Sequence, residues 1–366
     1  MKLEIPRETL LKPLQQVIGA VEKRQTLPAL ANVLLCAEEG ALRLTATDLE
    51  VELRAEIEVE IEQTGETTVN ARKLLDICRT LPAGASIRLA QNGEQVEVRS
   101  GRSRFTLASL PAGEFPRVDD VQAQVEFEIP QRDLKHGIER IAFAMAQQDV
   151  RYYLNGLLFE LAGDRLRTVA TDGHRLSMCE SPAALPGGEG LQVIVPRKGV
   201  QELARLLADE EEPARIRLGT SHVQVTLAGL RFTSKLIDGR FPDYNRVVPH
   251  ETSRTLTVER ETLRQALART AILSNEKYKG VRLGMEEGLL RIQTHNPDQE
   301  EAEEEVEVEF VGEPLEIGFN VVYLLDILGS LEGEQVRIGF NDSNSSCLVS
   351  EADSDAARHV VMPMRL

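Results

Sequence analysis

The chain has 366 residues, 42% of them hydrophobic and 28% charged, with a formal net charge of −17. No run approaches the ~18 apolar residues that span a bilayer, and the opening residues lack the apolar stretch of a secretory leader, so membrane and secreted classes are set aside and a cytoplasmic globular chain is expected. The acidic total speaks against a nucleic-acid binder unless positive charge is gathered on one surface, and the scattered cysteines Cys36, Cys78, Cys179 and Cys347, with no CxxC pair, read as reduced thiols and not as a zinc site.

In chain order, the first predicted element is an amphipathic helix opening at Ile5-Pro-Arg-Glu-Thr-Leu10, with Leu10, Leu14, Val17, Ile18 and Val21 on one face. A strand follows and ends in the turn Leu44-Thr-Ala-Thr-Asp48. Alternation at Val51, Leu53, Ala55, Ile57, Val59 and Ile61 predicts a half-buried antiparallel strand. A second helix opens at Val69-Asn-Ala-Arg-Lys73 with Leu74, Leu75 and Leu81. Strands joined by tight turns come next, Asn92-Gly93 being a hairpin signal, and the phrase Arg104-Phe-Thr-Leu closes the set near Phe115-Pro116.

The same order then repeats. The helix signal recurs at Ile129-Pro-Gln-Arg-Asp-Leu134, with Ile138, Ile141 and Met145. The turn recurs at Thr168-Val-Ala-Thr-Asp172, the second helix at Val195-Pro-Arg-Lys198 with Leu203, Leu206 and Leu207, and the closing phrase at Arg231-Phe-Thr and Phe241-Pro242. A third copy gives Val258-Glu-Arg-Glu-Thr-Leu263 with Ala266, Leu267 and Thr270, then Ile292-Gln-Thr-His-Asn296, then Gly318-Phe-Asn-Val-Val322 with Leu324, Leu325, Leu328 and Leu331. Pro6 and Pro130 suit a first helical position, where a missing N–H costs nothing. Asp48, Asp172 and Asn296 are separated by 124 residues each time. That period is a domain, not a solenoid unit. The expectation is an α+β chain of three homologous domains, 1–118, 119–247 and 248–366, with antiparallel sheets and joints near 116–124 and 246–254.

Charge is segregated along this repeat. The first-helix segments 5–24, 129–148 and 258–279 carry net +2, +1 and +2, which leaves −22 for the rest. Such faces fit either a solvated helix surface or a surface that follows a phosphate backbone without reading sequence. Opposite in sign is the stretch 299–309, with Glu300, Glu301, Glu303, Glu304, Glu305, Glu307 and Glu309. It fits either a charge-protected edge strand or a contact with another chain, for which Lys73, Arg99, Arg102 and Arg104 offer a counterpart. A contact between unlike ends of one chain closes into a ring when the rotation allows.

Catalytic signatures are missing: no phosphate-binding loop, nucleophile elbow, HExxH or dinucleotide fingerprint occurs. The six histidines lack metal-ligand spacing. Asp172-Gly-His174 near Ser177 could suggest an acid–base pair, but the first copy has Asp48-Leu-Glu there, so a turn is the reading, and Gly187-Gly-Glu-Gly190 reads as a loop. No catalytic residue, metal or cofactor is expected.

The chain carries the phrases Leu11-Lys-Pro-Leu-Gln-Gln-Val17, Thr47-Asp-Leu-Glu50, Val98-Arg-Ser-Gly-Arg-Ser-Arg-Phe105, Gln148-Asp-Val-Arg-Tyr-Tyr-Leu-Asn-Gly156, Thr168-Val-Ala-Thr-Asp-Gly-His-Arg-Leu176, Val195-Pro-Arg-Lys-Gly199, Asp238-Gly-Arg-Phe-Pro-Asp-Tyr244, Ala271-Ile-Leu-Ser-Asn-Glu-Lys277 and Val361-Met-Pro-Met-Arg-Leu366. Through them it resembles the bacterial sliding clamp family from end to end. The resemblance implies a clamp fold: a head-to-tail homodimeric ring with sheets outside and helices lining a bore that encloses duplex DNA. It implies DNA contacts at Arg24, Arg72, Gln148, Tyr152 and Tyr153. It implies a subunit interface centred on Phe105, Leu107, Ile272 and Leu273. Lys73, Arg102, Arg104, Glu300, Glu301, Glu303 and Glu304 would surround that centre.

The resemblance also implies a groove for partner peptides. Its members would be Leu154, Thr171, Gly173, His174, Arg175 and Leu176; Pro242, Arg246, Val247, Asn320 and Tyr323; and Ser346, Val360, Met362, Pro363 and Met364. Aliphatic and methionine side chains suit several partner segments. The partners implied are the catalytic subunit of the replicative polymerase, the clamp loader, translesion and repair polymerases, and mismatch-repair and initiation-control proteins. Asn344 beside the groove and Gln147 before the DNA-contact residues depart from the residues usual in the family.

Overall fold

The structure is a computed structural model that describes residues 1–22, 27–118, 120–185 and 190–365. Arg24, the Gly187–Glu189 part of the glycine loop and the carboxy-terminal Leu366 lie outside the described residues.

Among the described residues six α-helices alternate with antiparallel strands in the order the sequence predicts: α1 Arg7–Val17, α2 Ala71–Thr80, α3 Gln131–Glu139, α4 Arg197–Leu206, α5 Arg260–Thr270 and α6 Val321–Ser330. The buried faces are those of the periodicity. Leu10, Leu14 and Val17 are sealed on α1, and Leu263, Ala266, Leu267 and Thr270 on α5. Pro6 and Pro130, however, sit one residue earlier than expected. Each ends a strand, Lys2–Pro6 and Val125–Pro130, and the helix starts at the next residue. The expected strand 51–61 is also shorter. It runs Val51–Glu58, with Ile61–Gln63 separate, and Glu52 breaks the alternation by being buried.

One device recurs at the first residue of the leading helices. The backbone N–H groups of Arg7, Gln131 and Arg260 donate to the carbonyls of Ala85, Glu212 and Glu334. The side chains bind the exit of the second helix: Arg7 donates to the Cys78 and Arg79 carbonyls, Gln131 accepts from Ala208, and Arg260 donates to the Leu328 and Gly333 carbonyls. Carbonyls at a helix end lack intrahelical partners, so an arginine there satisfies them and complements the helix dipole.

Contacts divide the described chain into two compact units: one of Met1–Gln131 with Lys198–Leu236, the other of Arg132–Leu185 and 190–197 with Ile237–Arg365. The middle repeat is thus shared between them. In the first unit a thirteen-stranded sheet joins Leu230–Lys235 of the middle repeat to Val51–Glu58 of the first. In the second, a nine-stranded sheet joins Arg175–Pro182 to Ala357–Val361 in the same manner, beside a four-stranded sheet whose edge is Glu301–Glu307. Sheet continuity explains the division: each half of the middle repeat extends a neighbour's sheet, and the shared backbone hydrogen bonds hold it there.

Candidate peptide cleft and contact surfaces

The turn that marks the repeat is built from side-chain hydrogen bonds. Asp172 Oδ1 accepts the N–H groups of His174 and Arg175 at 2.9 and 3.0 Å, and Thr171 Oγ1 accepts Gly173 N–H at 3.1 Å while donating to the Arg175 carbonyl at 2.6 Å. Asp48 and Thr47 make the equivalent bonds to Leu49, Glu50 and Val51. Asn296 Oδ1 caps a one-residue-longer turn through Asp298 and Glu300. Short polar side chains that bond the following backbone define such turns. Asp172 is therefore structural, and its second oxygen accepts from Arg175 Nε at 3.1 Å.

Beside this turn lies a cleft of about 190 Å³, wholly within the second unit. Nine of the anticipated residues meet there: Leu154, Thr171, Gly173, Arg175, Leu176, Pro242, Val247, Val360 and Met362. Arg151, Tyr153, Asp243 and Tyr244 complete the wall. Arg151, Asp243 and Tyr244 were not anticipated, although each falls inside a phrase that carries the family likeness. Tyr153, expected at DNA, faces the cleft. The floor continues into a buried cluster of Leu158, Val169, Leu176, Ile194, Phe241 and Val360.

The other anticipated groove residues lie off this wall. His174 is exposed, and its carbonyl accepts Met362 N–H at 3.0 Å. Arg246 is exposed and pairs with Asp243 at 2.9 Å. Asn320 caps α6 by accepting Val322 N–H, and Tyr323 stacks under the Arg175 guanidinium at 4.5 Å. Ser346 and Pro363 are only partly buried, and Met364 lines a separate hollow with Tyr278 and His295.

Polar groups behind the wall are fully engaged, which fixes its shape. Arg175 donates to Asp326 at 2.6 Å and to the Phe143 carbonyl at 2.9 Å. Tyr244 accepts from Arg167 at 2.8 Å and donates to Glu160; burial and the adjoining Glu160 push its hydroxyl up to about 12. Asp149 accepts three bonds from Arg151, which hold its carboxyl down to about 2. Arg151 also reaches the Asp172 carbonyl at 3.1 Å. The Arg151 side chain, held by Asp149, therefore ties the segment carrying Gln148, Tyr152 and Tyr153 to the cleft turn through the Asp172 carbonyl.

Among the expected DNA contacts, Arg72 is exposed in the first unit, donating to the Val21 carbonyl at 3.1 Å. Gln148 in the second unit is exposed at φ 56°. Tyr152 is 57% exposed, its ring edge-on to Tyr153 at 5.8 Å. Not every cation counted on the first helices is free for phosphate: Arg7 and Arg260 serve helix ends, and Arg140 is held by Glu332 at 2.7 Å.

Of the expected interface residues, Lys73, Arg102 and Arg104 are exposed, Phe105 is half-buried and Leu107 is buried. Ile272 is 76% exposed, while Leu273 is half-buried. Along the edge strand Glu301–Glu307, Glu301 and Glu303 are exposed on one face. Glu304 points the other way and binds Arg269 at 2.6 Å, which holds its carboxyl below the usual range. Glu300 accepts from Asn296 at 2.7 Å. All four cysteines are free, three of them buried and Cys36 half-buried.

Three family descriptions match in succession: DNA polymerase III beta subunit N-terminal domain at residues 1–119, central domain at 128–243 and C-terminal domain at 245–365. Proteins called beta sliding clamp from Pseudomonas aeruginosa and Escherichia coli K12 are 56% and 52% identical, each aligned over the whole of both chains. Among solved structures, the DNA polymerase III subunit beta of P. aeruginosa is 55% identical and superposes with a TM-score of 0.98 over the whole of both chains. A P. aeruginosa sliding clamp bound to griselimycin is 56% identical, with a TM-score of 0.97 and the same full coverage. Three repeats of one α+β domain and these likenesses agree, and the chain belongs to the DNA polymerase III beta subunit family of sliding clamps.

Proposed function

We propose that the chain acts as a DNA polymerase processivity factor: two copies close head to tail around duplex DNA, and the cleft at Leu176, Val360 and Met362 holds peptides of the proteins it tethers. The clamp hydrolyses nothing itself. It slides because the enclosure is topological, with mildly basic helices within a Debye length of ~8 Å of the phosphates and an acidic exterior that repels stray DNA. Arg24, Arg72, Gln148, Tyr152 and Tyr153 would meet the DNA in the bore. The replicative polymerase, the clamp loader, and repair, translesion, mismatch-repair and initiation-control proteins would share the cleft in the cytoplasm. The domain boundaries proposed are 118/119 and 247/248.

The observation that carries the ring is a pair of open sheet edges. In two repeats the strand after the marker turn is covered by a strand of the next repeat: Phe232 lies opposite Leu53, and His359 opposite Ser177. In the third repeat the equivalent strand, Glu301–Glu307, is a free edge. The equivalent covering strand of the first repeat, Ser103–Leu110, meets Gly65–Asn70 only through Ser109 and Leu110, so its remaining outer edge is open. Unpaired edges of this kind invite strand addition. Transferring the register of the two covered joints places Phe105 opposite Ala302 of the partner subunit and Arg104 opposite Glu303 of the partner subunit. Sedimentation equilibrium tests this: a mass of twice 40.6 kDa is expected, and a monomer at micromolar concentration would refute the ring.

A further inference from the structure

The peptide cleft has an internal counterpart in the first unit. The turn residues Thr47 and Leu49 stand where the second repeat has Thr171 and Gly173, Pro116 where it has Pro242, and Lys235 where Met362 stands. The backbones agree as well: Lys235 N–H donates to the Glu50 carbonyl just as Met362 N–H donates to the His174 carbonyl. Together they border a cleft of about 490 Å³, larger than the recognised one. Its chemistry differs. Glu52 replaces Leu176 and turns inward, accepting Val118 N–H at 3.0 Å. Lys235 is exposed at the rim and has no ion pair among the described residues. His222 beside it binds Ser221 Oγ at 2.9 Å, and burial with the adjoining Lys235 holds its imidazole below the usual range, so it adds no charge; Arg117, shared with Glu66, is the second cation, and Asp120 on the same wall is paired with Arg231. Leu49, 43% exposed, and Val118 supply an apolar wall.

Leu49 is the second observation. Its φ is 77°, a conformation that costs a β-carbon-bearing residue ~1–2 kcal/mol and that the other copy fills with glycine at φ 89°. A strained leucine held half in water gains little within the chain. We propose that this cleft is a second peptide-docking site, taking an extended acidic segment of a partner protein that sets an aliphatic side chain against Leu49 and a carboxylate against Lys235. The charge complementarity argues for an acidic partner, and the site stands independently of ring closure.

The test is methyl NMR on the full chain, titrated with a synthetic peptide of alternating aspartate and leucine, amidated at its end. Saturable shifts are expected at Leu49, Val118 and Val121. Lys235→Glu should weaken them by about tenfold, the worth of ~1.4 kcal/mol, and Lys235→Arg should leave them within about twofold. Leu49→Gly should weaken binding without lowering the thermal midpoint, because glycine takes this backbone without strain; a lowered midpoint with unchanged binding would make Leu49 merely structural and overturn the proposal. So would shifts confined to Leu176 and Val360, indifference to charge at Lys235, or equal binding of a polyaspartate peptide lacking leucine.

Discussion

Gly173 shows how much of the cleft rests on single atoms. At φ 89°, a β-carbon there would sit 2.8 Å from Nη1 of Arg151, a side chain that Asp149 holds through Nε and Nη2. Gly173→Ala should cost ~1–3 kcal/mol in strain and weaken peptide binding at the Met362 cleft; denaturant unfolding and a peptide titration measure the two effects. His359 is the other telling residue. It is fully buried, its Nδ1 is 2.9 Å from Ser177 Oγ, and it stacks on Phe143 at 5.9 Å. Burial holds its imidazole down to about 3. The unfolded chain, with an ordinary value near 6.5, therefore binds the proton first. Stability is complete above pH ~6.5 and falls as the pH drops toward 3, by up to ~1.4 kcal/mol per pH unit from this group. His359→Gln should flatten that slope in pH-dependent unfolding, even if the plateau is lower.

At the scale of elements, the repeated helix-end clasp makes a sharp prediction. Arg260→Ala removes two charge-assisted bonds to carbonyls at the end of α6 and should cost ~2–3 kcal/mol, read by chemical denaturation. The open edges make another: Arg104→Glu should lower the sedimenting mass toward the monomer, and adding Glu303→Arg on the same chain should restore the dimer. Helices and strands were legible because burial imposes their 3.6- and 2-residue periods, and the marker turn because Thr-Asp chemistry is local. Glu52 was not legible: a strand period assigns it to solvent, and the Val118 N–H from a distant segment, with Arg231 and Arg54 nearby, lets it turn inward, where burial raises its carboxyl above the usual range. Nor did periodicity show that the middle repeat splits between two sheets, since strand pairing is non-local. The cleft was read through residues of known family phrases, and Arg151 was missed because its role depends on a bond to the Asp172 carbonyl.

At the scale of the whole molecule, a net charge of −17 looks unsuited to DNA and becomes sensible only if attraction is confined to an enclosed surface. Affinity then need not be high, because escape requires the ring to open or the DNA to end. A peptide scaffold that never encloses DNA would share the cleft and the acidic exterior, yet would not depend on DNA topology. The direct measurement is retention of the loaded dimer on nicked circular DNA before and after a single restriction cut, followed by gel filtration. The account predicts that the protein stays with the circle at moderate salt and is lost once the DNA is linear; equal loss from circle and linear duplex would contradict it.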